Sequence, residues 1–492
     1  MPEVSKRPNN ESNSEIVSKL WSLCNILRDD GITFHQYVNE LTYLLFLKMA
    51  QETNTEHDLP EGYRWEDLQK RTGTDQFAFY RQQLVVLGTQ GNPLVRTIFA
   101  NPTSLLRHAE SLNTIVGKID QLDWFSAKEE GLGDTYEGLL QKNASEKKSG
   151  AGQYFTPRAL IDSIVRLCKP SIADVIQDPA AGTGGFLVAA NEYILKTSNR
   201  HSWTSARQKK YRTNTFYGME HVQDTHRLAL MNLMLHGIEY EEGGAGIQYG
   251  DTLGPAGVAI NRHRPTLVLT NPPFGTKRGG GLPNRTDLPF PTSNKQLCFL
   301  QHIYTGLEQG GRAAVVLPDN VLFEGNAGVD VRRDLMDKCN LHTILRLPTG
   351  IFYAQGVKTN VLFFNKSSKT AKNSTKNTWI FDMRSNMQQF GKRKQLASSH
   401  FVEFEEAYGV DPNGLSIRND GTAGDRFRSF TREDIAARGD NLDITWLASD
   451  LDPQEDGMDL TDIAQEMLSD LEALTDEVKR LLSELGEGVS AE

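Results

Sequence analysis

The stretch Leu267-Val268-Leu269-Thr270-Asn271-Pro272-Pro273-Phe274 runs from an apolar strand into an amide, two prolines and an aromatic ring. Pro272 and Pro273 carry no backbone N–H, so the turn presents carbonyl acceptors in a rigid frame. The Asn271 side-chain oxygen and the Pro272 carbonyl can then each accept one hydrogen from an exocyclic NH₂ group. An aryl amine is a poor nucleophile because its lone pair is conjugated with the ring. Two acceptors draw the nitrogen toward tetrahedral geometry and aim the lone pair at an electrophile held in line at about 3 to 3.5 Å. Phe274 would stack on the base. A base inside a duplex does not reach such a pocket and must be flipped out, at a cost on the order of a few kcal/mol that stacking helps offset.

A second signal precedes this one. Gln177-Asp178-Pro179-Ala180-Ala181-Gly182-Thr183-Gly184-Gly185-Phe186 ends a strand in an acid and opens a helix near Phe186 through a tight glycine turn, which lets a ligand approach the backbone. The dinucleotide pattern G-x-G-x-x-G is not completed and there is no Walker lysine, which favours a ligand without a pyrophosphate. Three further motifs stand in order around these: Gln153-Tyr154-Phe155-Thr156-Pro157-Arg158, Tyr217-Gly218-Met219-Glu220 and Tyr249-Gly250-Asp251. Glu220, at a strand end, suits ribose hydroxyls, and Asp251 suits an adenine amine. No His or Cys cluster has zinc spacing, and no metal is expected.

Such residues need a frame. From Gly152 onward, short apolar strands ending in Gly, Pro or Asp alternate with helical stretches, the signature of an α/β fold. The expected strands are Val175 to Gln177, Thr215 to Gly218, Leu267 to Thr270, Arg312 to Leu317, Leu341 to Leu347 and Val361 to Asn365. Before them, residues 1–14 are polar and read as disordered. Ile16, Leu20, Leu23, Ile26 and Leu27, then Tyr37, Leu41, Leu44, Leu45 and Met49, recur at helical spacing and predict an amphipathic helical domain over 15–145. Lys142 to Gly150 has loop composition, as does Lys366 to Asn377. Ile380 to Arg438 is mixed and uninformative.

The chain of 492 residues, 24% charged and 38% hydrophobic, has ordinary globular composition and room for about three domains. Its net charge of −10 argues against a nucleic-acid partner only as an average. From Asp440 to Glu492 sixteen acidic residues face only Lys479 and Arg480, a charge of −14, which leaves +4 for the rest. Within that tail, Leu460, Ile463, Met467, Leu471, Leu474, Val478, Leu481 and Leu485 form a heptad-like stripe. Four cysteines without a C-x-x-C pair, no apolar run of the roughly 20 residues a membrane span needs, and no signal-peptide pattern fit a reducing cytosol.

Taken together, these motifs resemble the methyltransferase (M) subunit of type I restriction–modification systems. The resemblance includes Leu44-Leu45-Phe46-Leu47-Lys48, Leu347-Pro348-Thr349-Gly350-Ile351-Phe352 and Lys358 to Phe364, and extends over essentially the whole chain. It implies a Rossmann-like S-adenosylmethionine-dependent core over 146–438, a helical front, and an acidic C-terminal helical tail over 439–492 for assembly. It implies N6-adenine methylation of duplex DNA in a bacterial or archaeal cytoplasm. Gln153, Tyr154, Phe155, Thr156, Pro157 and Arg158 with Thr183, Gly184 and Gly185 would line the methionine end of the cofactor. Asp178 and Gly182 would shape its turn, Glu220 hold its ribose and Asp251 its adenine. Asn271 and Pro272 would position the target amine, with Pro273 and Phe274 in the same catalytic turn. The resemblance also implies a separate specificity (S) subunit, two M subunits per S, and a restriction (R) subunit for cleavage. Lys277, Arg278, Arg285 and Lys295, beside Gly279-Gly280-Gly281, are expected at DNA phosphates. An Asn-Pro-Pro-aromatic turn reads an NH₂ group rather than one molecule, so an RNA base or a protein glutamine amide stays an alternative acceptor. The helical front and the tail disfavour it.

Overall fold

The computed structural model describes residues 12–32, 36–146, 156–241, 244–274, 285–352, 357–367, 372–387, 390–391, 394 and 396–447. The helical region and the sheet that follows belong to one compact unit reaching Thr445. The heptad-like stripe from Leu460 to Leu485 lies outside the described residues, as do residues 1–11.

The helical region begins earlier than the apolar spacing predicts. The helix Asn13–Ser22 starts three residues before Ile16, because the Glu15 carboxylate accepts from the Ser12 N–H at 2.9 Å and so satisfies an otherwise orphaned donor. The helix Tyr37–Glu52 is not amphipathic in place. It is enclosed on every side, with Leu41, Leu44, Leu45, Leu47 and Met49 fully buried, because the surrounding helices wrap it completely. Its two buried charges are paired. Glu40 accepts from the Ser104 hydroxyl at 2.7 Å and the Leu105 N–H at 2.9 Å, while Lys48 lies 2.9 Å from Glu52 and 3.0 Å from Asp120. The last helix of the region, Leu132–Glu146, runs through Lys142 to Glu146. That part of the expected loop is therefore helical, and 147–150 lie outside the described residues.

Among the described residues, nine strands form one sheet: β1 (Ile176–Asp178), β2 (Phe216–Glu220), β3 (Gly246–Tyr249), β4 (Leu267–Thr270), β5 (Arg312–Pro318), β6 (Cys339–Arg346), β7 (Thr359–Lys366), β8 (Asn377–Asp382) and β9 (Phe427–Thr431). Their order is β3-β2-β1-β4-β5-β7-β6-β8-β9. The first five are parallel to one another, β7 inserts antiparallel between β5 and β6, β8 runs parallel to β6 and β9 closes the edge antiparallel. β1 and β4 are buried throughout, as expected for parallel strands covered on both faces. All six strands expected from the sequence are present. The three it did not give are β3, β8 and β9. Each has a weak local signal: β3 is a four-residue edge, β8 follows a polar loop, and β9 buries only Phe427 and carries Arg428.

One helix joins the two regions. Gln223–Leu235, which follows β2, contributes Leu228, Leu230 and Met231 to the hydrophobic core of the helical region. From the same helix Arg227 donates to the Ile98 carbonyl at 2.7 Å and the Ala100 carbonyl at 3.1 Å.

Candidate active site

In an open α/β sheet, ligands bind where the strand order reverses, beyond the carboxyl ends of the strands. Here that point lies between β1 and β4. The register pairs Ile176 with Leu267 and Gln177 with Val268, so Asp178 at the end of β1 and Asn271 just beyond β4 leave the sheet on neighbouring strands. The pairings of Asp178 with Gly218 and of Glu220 with Tyr249 extend the same edge.

The glycine turn is built as expected. The helix after it spans Gly185–Thr197, capped by Gly184 at φ 84°. A Cβ at Gly184 would lie 2.6 Å from the Leu233 side chain, so both the backbone angle and the packing exclude larger residues. Gly182 also has positive φ, but there a Cβ would meet no atom of the described residues within 4 Å, which leaves room for a ligand beside them. Glu220 reaches into this turn: Oε2 accepts from the Gly182 N–H at 2.9 Å and Oε1 from the Val222 N–H at 2.7 Å. Burial pushes the Glu220 carboxyl above its ordinary value, against the opposing pull of these amides. Asp178 is 1% exposed. Burial raises its carboxyl to about 7, although the Thr270 hydroxyl and the Ala180 N–H favour the charged form. Asp251 is exposed and folds onto its own loop, accepting from the Leu253 N–H at 2.9 Å.

Asn271 has the most distinctive environment. It is 8% exposed, its Nδ2 donates to the Thr156 hydroxyl at 3.0 Å, and its Oδ1 is buried with no hydrogen-bond partner among the described residues. The Thr156 bond fixes which way the amide faces and leaves Oδ1 as the acceptor still to be satisfied. An orphaned acceptor costs about 1–3 kcal/mol of desolvation until something donates to it. Pro272 is buried, and the Pro273 carbonyl accepts from Gln296 Nε2 at 3.1 Å. Gln296 is itself placed by the Asn294 side chain, which caps the helix Lys295–Gly306. The Phe274 ring meets buried Phe352 edge-on, with centroids 5.8 Å apart.

Not every expected site residue joins this group. Gln153, Tyr154, Phe155, Lys277 and Arg278 lie outside the described residues. Arg158, expected to line the methionine end of the cofactor, is engaged in ion pairs. Its guanidinium is taken by Asp162 at 2.9 Å, Glu192 at 2.7 Å and Glu137, so it ties the α/β region to the helical region. Arg285 does not present its charge to a phosphate. Its side chain is 1% exposed, pairs with Asp287 and donates to the Thr252 carbonyl at 2.7 Å. An arginine followed two residues later by an aspartate was the available warning. Lys295 is half-buried at the start of its helix.

Two supports were not anticipated. Thr156 acts on Asn271 from 115 residues away. Beyond β5, Asp319 accepts from Arg384 at 2.7 Å and 2.8 Å and from Asn360 at 2.8 Å. Burial opposes the Asp319 charge, but Arg384 and Asn360 outweigh it and hold the carboxyl below its usual range. The ends of β5 and β7 are thereby locked together. Only the fold brings these partners into range, and sequence spacing gives no signal of them.

Fold and site define an amino-methyltransferase, and the N-6 DNA methylase family model matches residues 127–456, with the HsdM N-terminal domain matching 16–116. The type I restriction enzyme StySJI methylase subunit of Salmonella typhimurium is 48% identical, over 98% of this chain and 97% of that protein. The crystal structure of the type I restriction enzyme EcoKI M protein is 44% identical with a TM-score of 0.57, over 97% of this chain and 98% of that chain. A chain from a structural study of complex assembly and conformational transition in the type I R-M system is 25% identical with a TM-score of 0.70, over 98% and 100%. The chain belongs to the methylase subunits of type I restriction enzymes, which are adenine-specific DNA methyltransferases.

Proposed function

We propose that this chain transfers the methyl group of S-adenosylmethionine to the exocyclic amine of an adenine flipped out of duplex DNA. The observation that carries this reading is the buried Asn271 Oδ1, an acceptor with no donor among the described residues at the carboxyl end of β4, held in that orientation by Thr156. The residues present suit the cofactor: Gly182 has room for a ligand beside the described residues, and the Glu220 carboxylate stands beside it at the end of β2, where a ribose would lie. When bound, the cofactor supplies a methyl group on a sulfonium. The chain's own part is to orient the acceptor. Asn271 Oδ1 and the Pro272 carbonyl each accept one amine hydrogen and so direct the nitrogen lone pair, while Phe274, braced by Phe352, stacks on the ring. The nitrogen becomes a strongly acidic aminium as its new bond to carbon forms, and it releases its proton to solvent, so no basic side chain is required.

The working division is a helical domain over 15–145, a methyltransferase domain over 146–438 and a tail over 439–492 that docks on a specificity subunit. Two methylase subunits would share one specificity subunit, which reads the target, and a restriction subunit would add cleavage. No helix among the described residues is long and apolar enough to cross a membrane, in keeping with action in the cytoplasm. Incubating the chain, alone and with its specificity subunit, with labelled cofactor and DNA, RNA or protein tests the reading. Label recovered as N6-methyladenine in DNA is expected. Label in RNA or protein alone rules the DNA reading out.

A further inference from the structure

Away from the strand ends, three side chains far apart in sequence meet where the helical region touches the α/β region. Asp134 lies on the helix Leu132–Glu146, Glu192 on Gly185–Thr197, and His236 just past Gln223–Leu235. His236 Nε2 is 4.0 Å from Asp134 Oδ1 and 3.6 Å from Glu192 Oε1, and the three ligand-capable atoms all lie within 4.8 Å of one another. These separations are too long for hydrogen bonds. The His236 side chain is 7% exposed, yet its Nε2 is buried and has no hydrogen-bond partner among the described residues.

The other ring nitrogen settles the tautomer. Nδ1 lies 2.8 Å from the Asn232 carbonyl, which only accepts, so Nδ1 carries the hydrogen. In the neutral ring, Nε2 therefore aims a lone pair at two carboxylates, an arrangement that either a proton on Nε2 or a metal cation between the three groups relieves. The surroundings have the charge for one. Among the described residues, Asp134, Glu137, Asp162 and Glu192 face Arg158 and Lys196, a net charge of −2 around a neutral His236. Arg158 also orients the cluster: it holds Glu192 Oε2 at 2.7 Å and leaves Oε1 turned to His236.

We propose that Asp134, Glu192 and His236 form a binding site for one divalent cation of the zinc or manganese type. One neutral imidazole and two carboxylates are the donor set such borderline ions take, with bonds of about 2.0–2.2 Å. Tetrahedral ligands at those bond lengths stand about 3.4 Å apart, so small side-chain rotations close the site. The Asp134 side chain, 56% exposed, gives the ion its route and leaves positions for water. The role is structural. Asn232, whose carbonyl orients His236, donates its Nδ2 to the Thr183 carbonyl at 3.0 Å, so the ion pins the helical region to the back of the glycine turn. A proton on Nε2 competes with the metal. Burial disfavours that proton, but Asp134, the Asn232 carbonyl, Glu137 and Glu192 together raise the His236 pKa above its ordinary value.

The test uses the full chain, stripped with a chelator and titrated calorimetrically with Zn²⁺, Mn²⁺ and Mg²⁺. Expected are one Zn²⁺ or Mn²⁺ per chain, bound at least tenfold more tightly than Mg²⁺, and a thermal midpoint that rises with that ion. Asp134→Asn, an isosteric change at an exposed position, weakens binding at least tenfold, and His236→Asn abolishes it. Absorption bands of bound Co²⁺ that change in H236N show the nitrogen ligand directly. Absence of stoichiometric binding by the native chain overturns the proposal, leaving a protonated His236 in a plain ion-pair cluster. Equal binding by D134N and H236N overturns it as well.

Discussion

The two halves of the sheet divide the work. β1 to β4 are three to five residues long and parallel; β1 and β2 end in Asp178 and Glu220, and Asn271 follows β4. β5 to β8 are six to eight residues long, with β7 antiparallel and packed with Val361, Leu362, Phe363 and Phe364, each at most 1% exposed. Short parallel strands bring several chain segments to one edge without much buried area. The long mixed strands supply that area and tie their ends with the Asp319–Arg384 pair. Chemistry and stability are thus largely separate, and substitutions should affect one without the other.

Asn271→Ala should show this most strongly. Methyl transfer is expected to fall on the order of 10³-fold, about 4 kcal/mol, while cofactor affinity by calorimetry and the thermal midpoint stay close to native. Undiminished transfer would remove Asn271 from its assigned role. In the other half, Phe364→Ala should cost about 3–4 kcal/mol in denaturant unfolding with cofactor affinity of the folded protein unchanged; a large loss of affinity would show that the halves are coupled. Thr156→Val should lower kcat about tenfold, roughly 1.4 kcal/mol for one lost hydrogen bond, leave KM for DNA near native, and be rescued by Thr156→Ser. The smallest effect concerns pH. Burial raises Asp178 from 3.8 to about 7, so between these values the folded chain keeps a proton that the unfolded chain has released. Stability should fall as pH rises through that window and level off above it. Asp178→Asn should flatten this slope in thermal midpoints measured from pH 4 to pH 8.

How much was legible in the sequence follows the same division. The glycine turn, Glu220 at a strand end and Asn271 after an apolar strand are local signals, because each depends on what a few consecutive residues can do, and the structure has each of these elements in place. Their roles with cofactor and DNA are for the experiments above to decide. What the sequence left out depends on distant partners. Thr156 holds Asn271, Arg384 holds Asp319, and Arg285 turns inward to Asp287 and Thr252. A lone arginine in a polar segment looks alike whether it meets a phosphate or a buried carboxylate. The strands β8 and β9 were missed for a related reason: each leans on a neighbour for its identity, as Phe427 does on Trp379 through stacked rings 4.8 Å apart.

The place of β7 bears on how the chain is made. β6 is synthesised first but lies outside β7, and all seven pairs from Arg312–Asn365 to Pro318–Thr359 wait for residues that leave the ribosome some forty positions after β5. Until then the edge of β5 has no partner, next to apolar residues that favour wrong pairing. The nascent protein thus passes through a stage in which its future catalytic strands are complete and their sheet is still open, the interval in which chaperone protection would matter most.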